Sequence, residues 1–221
     1  MEDGKWQGSL KLARCATYHV PFPIQDAFSS IPLRSAMLLL QGGRCSVRPW
    51  RRTDVDALVH HANNINVARN LRDRFPHPYT KADARFFLKH AAAAEDPTNL
   101  CIEVDGVAVG AVGYVPGHDV ERYSAEIGYW LGEELWGRGI VTEALSLVTT
   151  HAFSELNYLR LFAVPFADNP ASIRVLEKAG YEREALLKAS AVKFGEPRDQ
   201  WLYVRINPSW RGADVPPAGP P

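Results

Sequence analysis

The chain has 221 residues, of which 46% are hydrophobic and 23% are charged, and Lys+Arg and Asp+Glu are equal at 25 each. This length predicts one domain of ordinary size with a buried core. A formal net charge of zero gives no electrostatic reason to expect a nucleic-acid or anionic-membrane partner. Cys15, Cys45 and Cys101 are scattered and lack metal-ligand spacing, so we expect neither a disulfide framework nor a metal site.

No apolar run approaches the roughly 20 residues of a membrane span, and Arg14, Pro21 and Asp26 interrupt any leader-like stretch near the N-terminus. These features predict a cytoplasmic protein that does not bind membranes. The oligomeric state stays open between a monomer and a homodimer.

The two ends of the chain differ in composition from its middle. Residues 1–42 show no sustained period and contain several prolines, so we expect a poorly ordered extension, with Met37 as an alternative start of translation. Residues 208–221 are rich in proline and glycine and predict a disordered tail. The catalytic domain is therefore expected over residues 43–207.

Helical and extended patterns alternate along this domain. Thr53-x-x-Asp56 and Thr80-x-x-Asp83 resemble capping boxes, and Asp105-Gly106 is a hairpin turn signal. The order β-α-α-α-β-β-β-α-β-α-β-β predicts a mixed α/β domain. The predicted strands are Cys45–Trp50, Leu100–Val104, Val107–Val115, Arg122–Leu131, Tyr158–Val164, Tyr181–Ala189 and Gln200–Ile206; the helices run from Thr53 to Asn64, within Asn66–Tyr79, from Thr80 to Ala94, from Val141 to Phe153 and from Pro170 to Ala179.

One turn between a strand and a helix carries the residues WGRGIVTEA, from Trp136 to Ala144. Gly137 and Gly139 allow a positive φ and leave backbone N–H groups open to a ligand at a helix start, where an anion is favoured. Arg138 could add a charged contact to that anion. The turn lacks the Gly-Lys-Ser/Thr of a P-loop and the spacing of a dinucleotide fingerprint. An ordinary turn that needs glycine for its geometry is the alternative.

Three segments in sequence, AEIGYWL (Ala125–Leu131), WGRGIVTEAL (Trp136–Leu145) and NPASIRVLEKAGY (Asn169–Tyr181), resemble the GCN5-related N-acetyltransferase (GNAT) superfamily. The similarity spans Cys45 to Ile206 and is greatest to the ribosomal-protein-alanine acetyltransferases of the RimJ/RimL type. It implies an N-acetyltransferase that uses acetyl-CoA as cosubstrate and has the GNAT fold. In that fold a twisted, mostly antiparallel sheet flanked by helices splays between the fourth and fifth predicted strands, Arg122–Leu131 and Tyr158–Val164.

The resemblance also implies which residues bind the cofactor. Amides from Arg138 to Thr142 would hold the CoA pyrophosphate. Amides near Trp130, Leu131 and Gly132 would pair with the pantetheine and polarise the thioester carbonyl. Trp136 and Val141 depart from the usual superfamily residues in the manner of the RimJ/RimL branch, which disfavours a histone acceptor. The complete implied set is Trp130, Leu131, Gly132, Trp136, Gly137, Arg138, Gly139, Ile140, Val141, Thr142, Asn169 and Ser172.

Two side chains are candidates for the chemistry. Glu126 is the only carboxylate in its predicted strand and lies where the family places a general base; a solvated or salt-bridged strand glutamate is the alternative. Ser172 is the candidate proton donor to the CoA thiolate, because Leu176 stands where many superfamily members have a tyrosine; a serine that caps its own helix is the alternative. Asn169-Pro170 predicts a helix start, and Glu143 is expected to have a structural role.

The sequence predicts the class of acceptor amine and the part of the chain that would bind it. At pH 7, deprotonation costs roughly 1 kcal/mol for an α-amine and about 4.6 kcal/mol for a lysine, which favours a protein N-terminus or a small molecule with a similar amine. The family architecture places the acceptor near the two early helices and the loop Asn66–Tyr79, whose Arg72, Arg74, Phe75 and His77 are candidates, the arginines suiting an acidic acceptor.

Other aromatic and histidine residues receive no functional role from the sequence. His60-His61 shows no ligand partner, and Tyr129, Trp130 and Phe162 have side chains typical of a core. A non-catalytic CoA-binding protein of the same fold and a nucleotide-binding protein are the competing hypotheses.

Overall fold

The computed structural model describes residues 38–94 and 96–213. Over these residues the order of strands and helices follows the prediction, with one additional strand at the start. The elements are β1 (Leu40–Gln41), β2 (Ser46–Arg48), α1 (Val55–Ala62), α2 (Ile65–Ala68), α3 (Lys81–Ala91), β3 (Asn99–Val104), β4 (Val107–Pro116), β5 (Ser124–Leu131), α4 (Ile140–Ser154), β6 (Arg160–Ala163), α5 (Pro170–Lys178), β7 (Glu182–Lys193) and β8 (Glu196–Ile206).

The strands form one sheet in the order β1-β2-β3-β4-β5-β6-β8-β7. Neighbouring strands are antiparallel except for β5 and β6, which run parallel and pair only between Ser124–Glu126 and Arg160–Phe162. Beyond these pairs, the rest of β5 stays hydrogen-bonded to β4 as far as Leu131. The sheet therefore opens between β5 and β6, and the predicted GNAT fold with a splayed, mostly antiparallel sheet is confirmed.

Helices cover both faces of the sheet, and β5 alternates between them. Its Ala125, Ile127 and Leu131 are buried in a core with the inner face of α4. Trp130 packs on the opposite face, against a core formed with α1 and α3. Because successive side chains of a strand point to opposite faces, Glu126 lies on the α1–α3 side.

The structure contains one of the two predicted capping boxes at the helix starts. Thr80 and Asp83 form the predicted capping box of α3, since each side chain binds the other residue's backbone N–H. The predicted box of Thr53 and Asp56 is wrong. Asp54 accepts from the Arg51 N–H at 2.8 Å instead, in a 3-10 turn ahead of α1.

Burial explains why Asp54 has this role. Its carboxylate also holds the buried Arg48 guanidinium through contacts of 2.9 and 3.1 Å. A buried guanidinium needs a paired carboxylate, so tertiary packing selects Asp54 over Asp56, which pairs at the surface with Lys81 at 2.7 Å.

A hairpin turn explains why the last two strands, β7 and β8, are longer than predicted. Asp105 and Gly106 have φ of 50° and 79°, as the predicted two-residue turn requires. Phe194 and Gly195 have φ of 54° and 82° and form a second such turn, which the sequence prediction missed. The β7–β8 hairpin is consequently longer than predicted, and Lys193 lies near its tip.

The structure moves both predicted domain boundaries outward. Residues 40–41 pair with Val47 and Ser46 of β2, so the domain begins before residue 43. At the other end, Trp210 packs against Tyr123 at 5.5 Å and donates to the Asn157 carbonyl at 3.1 Å. Residues 208–213 therefore belong to the folded part, because Trp210 supplies an apolar anchor. The rest of the predicted extension, with Met37, and residues 214–221 lie outside the described residues.

Of the helices in the described ranges, none has the length and apolarity needed to cross a membrane.

Candidate active site

The glycine turn ahead of α4 has the geometry of an anion-binding site. Gly137 and Gly139 have φ of 78° and 77°, and Gly139 is the N-cap residue of α4. The first helical hydrogen bond runs from the Glu143 N–H to the Gly139 carbonyl at 3.1 Å. The N–H groups at positions 140–142 therefore precede the helical hydrogen-bond ladder and lie at the positive end of the helix dipole.

Glu143 anchors this turn to the start of the domain. Its carboxylate accepts from the backbone N–H groups of Gly43, Arg44 and Cys45 at 3.1, 2.6 and 3.1 Å. Partial burial alone would raise the pKa of Glu143, but these hydrogen bonds outweigh it and hold the pKa below its ordinary value of 4.5. The expected structural role of Glu143 is confirmed.

Arg44 places a positive charge beside the same turn. Its Nε lies 3.5 Å from the position that a Cβ on Gly139 would take, and its Nη1 is 3.7 Å from Glu143. Arg44 was not among the predicted site residues, because no local signal links it to a turn almost a hundred residues later.

A first cavity of about 280 Å³ extends from this turn along the start of α5. Arg174 and Lys178, on the exposed side of α5, add cationic groups to its lining. Of the residues predicted to bind the cofactor, all except Gly132 and Arg138 line it; they are Trp130, Leu131, Trp136, Gly137, Gly139, Ile140, Val141, Thr142, Asn169 and Ser172.

Gly132 and Arg138 have other partners. The Gly132 N–H donates to the Val109 carbonyl at 2.9 Å, and Arg138 donates to the Glu134 carbonyl at 3.0 Å. Because N–H directions alternate along an antiparallel strand, the Trp130 N–H also points toward β4. Of the three strand amides in the prediction, that of Leu131 alone faces the gap between β5 and β6.

The start of α5 meets β5 through a pair of hydroxyl groups. Asn169 caps the helix as predicted, accepting from the Ser172 N–H at 3.2 Å. The Tyr129 hydroxyl lies 2.8 Å from the Ser172 Oγ and donates to the Ser172 carbonyl at 3.1 Å. Burial raises the pKa of the Tyr129 phenol well above its ordinary value. Tyr129 was predicted to be a core residue, whereas its hydroxyl lies beside Ser172.

A second cavity, of about 400 Å³, adjoins the first at the gap between β5 and β6. Glu126 lines it, with 26% of its side chain exposed, and forms an ion pair with Arg72 of the loop after α2. Lys193, with 4% of its side chain exposed, reaches from the β7–β8 hairpin to Asp73 at 2.7 Å. The two cavities share a set of lining residues: Asn70, Leu71, Tyr129, Pro165 and Ser172.

The loop residues predicted to meet the acceptor divide into two groups. Arg72 lines the second cavity, while Arg74, Phe75 and His77 do not belong to its lining. Phe75 instead packs between Tyr79 at 5.1 Å and Trp130 at 5.6 Å, measured between ring centroids. It supports the loop from the core side.

The comparison with known families decides the classification. Residues 44–182 match the family model described as an acetyltransferase (GNAT) domain. The chain belongs to the GNAT acetyltransferase family.

Relatives with this GNAT domain include proteins of the predicted branch. The chain is 39% identical over 84 residues to the uncharacterized N-acetyltransferase YoaA of Bacillus subtilis, covering 38% of this chain and 48% of that protein. It is 37% identical over 84 residues to the ribosomal-protein-serine acetyltransferase of Escherichia coli, covering 38% and 46%. The chain thus spans about half the length of the curated relatives it matches first.

Solved GNAT structures share the fold. RimJ of Mycobacterium smegmatis, determined in complex with CoA-disulfide, superimposes with a TM-score of 0.65 and 25% identity over 73% of this chain and 81% of that chain. The predicted similarity to the RimJ/RimL type is confirmed.

Proposed function

We propose that this protein is an N-acetyltransferase that transfers the acetyl group of acetyl-CoA to a primary amine by direct attack within a ternary complex. The observation that carries the proposal is the pair of cavities that meet at Tyr129 and Ser172 across the gap between β5 and β6. One cavity begins at an anion-binding turn and the other contains a carboxylate. Donor and acceptor can therefore bind in separate cavities and meet at shared residues.

The first cavity suits CoA. Its helix start offers N–H groups to the pyrophosphate, and Arg44, Arg174 and Lys178 supply positive charge around a ligand that carries several phosphate charges. The Leu131 N–H faces the gap and can pair with the pantetheine arm. A mononucleotide would use the phosphate turn but leave the gap empty, which favours CoA over the nucleotide hypothesis.

Glu126 is the proposed general base. It lines the second cavity on a rigid strand, whereas Ser172 and Tyr129 line both cavities. An acceptor amine in this cavity arrives mostly as an ammonium, and it must lose a proton before its lone pair can attack the thioester. The Glu126 carboxylate can accept that proton directly or through a water.

Ser172 is the proposed donor of a proton to the leaving thiolate, and Tyr129 positions it. Because a carbonyl can only accept, the Tyr129 hydroxyl donates its hydrogen bond to the Ser172 carbonyl. The Ser172 hydroxyl then donates to the phenol oxygen until the thiolate forms. Burial raises the pKa of the Tyr129 phenol, so the phenol stays protonated and holds the serine in place, and Ser172 regains its proton from water after the transfer.

The acceptor is proposed to be an α-amine with a negative group nearby. Arg72 uses one of its five N–H donors on Glu126, and 62% of its side chain is exposed, so the guanidinium can also bind a carboxylate on the acceptor. The relative named a ribosomal-protein-serine acetyltransferase supports a protein N-terminus as one such acceptor; a small-molecule amine is the other class.

The decisive experiment measures binding and turnover separately. Wild type and Glu126→Gln are tested for an acetyl-CoA thermal shift, with ATP and NAD as controls, and for thiol release with N-terminal peptides, polyamines and aminoglycosides. Loss of a general base lowers rates about 10²- to 10⁴-fold, so we expect at least a hundredfold lower kcat with the acetyl-CoA shift retained. Glu121→Gln, an exposed carboxylate away from both cavities, is the matched control.

Two results would count against the proposal. An unchanged rate in Glu126→Gln would remove the base assignment. Acetyl-CoA binding without thiol release for any amine would favour the alternative, a non-catalytic CoA-binding protein with the same fold.

A further inference from the structure

Three potential metal ligands come together between the end of α1 and the 3-10 turn Glu133–Leu135. The Glu134 Oε1 lies 3.1 Å from the His60 Nε2 and 3.2 Å from the His61 Nδ1. All three ligand atoms lie within 4.8 Å of one another. The sequence analysis found no partner for the two histidines, because Glu134 follows His60 by 74 residues.

The cluster is held in place by contacts that need no metal. The His61 side chain is 6% exposed, and its ring packs against Gly132, where any Cβ would collide with the imidazole. On the opposing side, Arg138 binds the Glu134 carbonyl at 3.0 Å.

The neighbouring Glu133 fastens the same turn to α2. Its carboxylate accepts from the Asn64 side chain at 2.7 Å and from the Asn66 side chain at 3.0 and 3.1 Å. The backbone on both sides of the cluster is therefore fixed, and a metal ion would need little rearrangement beyond the His60 side chain.

We propose that His60, His61 and Glu134 form a binding site for a divalent first-row transition ion such as Zn²⁺. Ligands at about 2.0–2.1 Å from a tetrahedral ion are separated by about 3.3 Å, close to the two distances that involve Glu134. The His60 side chain is 67% exposed and can turn to close the remaining separation from His61. Two imidazoles and a carboxylate favour Zn²⁺, Ni²⁺ or Cu²⁺ over Mg²⁺ and Ca²⁺, which prefer oxygen ligands.

An ion bound at this site would affect the stability of the folded state. Glu134 lies shortly before the glycine turn at residues 137–139, and His60 and His61 lie in the last turn of α1. A bound ion would cross-link the two segments and stabilise the folded state by mass action. It would not touch Glu126 or Ser172, so the site stands apart from the proposed chemistry.

Isothermal titration of tag-free protein with ZnCl₂, and separately with MgCl₂, tests the site, with a thiol-free reductant present. We expect one Zn²⁺ per chain, a rise in melting temperature with Zn²⁺ and no effect of Mg²⁺. His60→Ala and Glu134→Gln should each weaken Zn²⁺ binding at least tenfold. His90→Ala is the matched control, because His90 is an exposed histidine on α3 outside the cluster.

Each possible result of the titrations either supports or overturns the metal site. Binding that is lost in the two cluster variants and kept in His90→Ala supports the site. Absence of Zn²⁺ binding, or binding that is equally strong in all the variants, overturns it. Neither result depends on turnover, so the test is independent of the acetyltransferase proposal.

Discussion

The Tyr129 hydroxyl lies 2.8 Å from the Ser172 Oγ, and this contact joins β5 to α5 at the place where the two cavities meet. Both residues line both cavities. The pair thus stands between the proposed donor and acceptor sites, and its two hydroxyl groups have different expected roles.

Removing each hydroxyl tests these roles. A neutral hydrogen bond contributes about 0.5–1.5 kcal/mol, so we expect Tyr129→Phe to lower kcat roughly tenfold, with the KM for acetyl-CoA changed less than twofold. Ser172→Ala should lower kcat further. The double variant should be no slower than Ser172→Ala, because Tyr129 acts through Ser172; steady-state kinetics of the four proteins measure this.

Tyr181→Phe is the control for this series. It deletes a buried phenol that bonds to Thr149 at 2.8 Å, outside both cavities, and should leave kcat unchanged. Independent, additive losses in the Tyr129/Ser172 double variant would show that Tyr129 has a role of its own.

Gly137→Ala is expected to weaken CoA binding at least tenfold. Its φ of 78° is strained for alanine by about 1–2 kcal/mol, and relief of that strain moves the N–H groups of the turn. Gly106→Ala has the same strain, at φ of 79° and with equally open space around the Cβ, but lies in the β3–β4 hairpin. Both variants should lose similar stability in denaturant titrations, and equal CoA affinity in the two would contradict the assignment of the phosphate turn.

Arg72 is expected to set a preference for acidic acceptors. An exposed ion pair contributes about 0.2–1 kcal/mol, so peptides with Asp at the second position should have a kcat/KM up to about fivefold higher than peptides with Lys there. Arg72→Ala should abolish the preference, and Arg72→Lys should retain part of it. A preference that persists in Arg72→Ala would assign acceptor recognition to other residues, with Lys193 the next candidate in the same cavity.

Glu143 is expected to contribute stability that depends on pH. Its pKa is lowered in the folded state, so its contribution is complete above about pH 4.5 and is lost as the pH falls through the folded-state pKa. A hydrogen bond to a charged group contributes about 1.5–3 kcal/mol to the free energy of unfolding. Chemical denaturation of wild type and Glu143→Gln should show this gap at pH 7 and a smaller one at pH 3.5. Glu155→Gln, at the exposed C-terminal end of α4, should show no comparable gap.

Much of the fold and of the donor site could be predicted because the signals are local. Gly137 and Gly139 have positive φ because the turn between β5 and α4 demands it, and Thr80 and Asp83 cap α3 from three residues apart. The alternation along β5 was enough to separate the face of Glu126 from that of Ile127. In each case the interacting groups lie within a few residues, so spacing alone encodes the structure.

Contacts between distant segments were decided only by the tertiary structure. Tyr129 meets Ser172 across 43 residues, Glu143 meets Arg44 across 99, and Lys193 meets Asp73 across 120. Such pairs depend on how the elements dock, because the two partners come within hydrogen-bond distance only when the segments that carry them pack together. The sequence by itself therefore determined the family, and it predicted the glycine turn proposed to bind phosphate and the candidate base Glu126. Packing determined what surrounds them: the Arg72 partner of the base, the tyrosine behind Ser172 and the glutamate between two histidines.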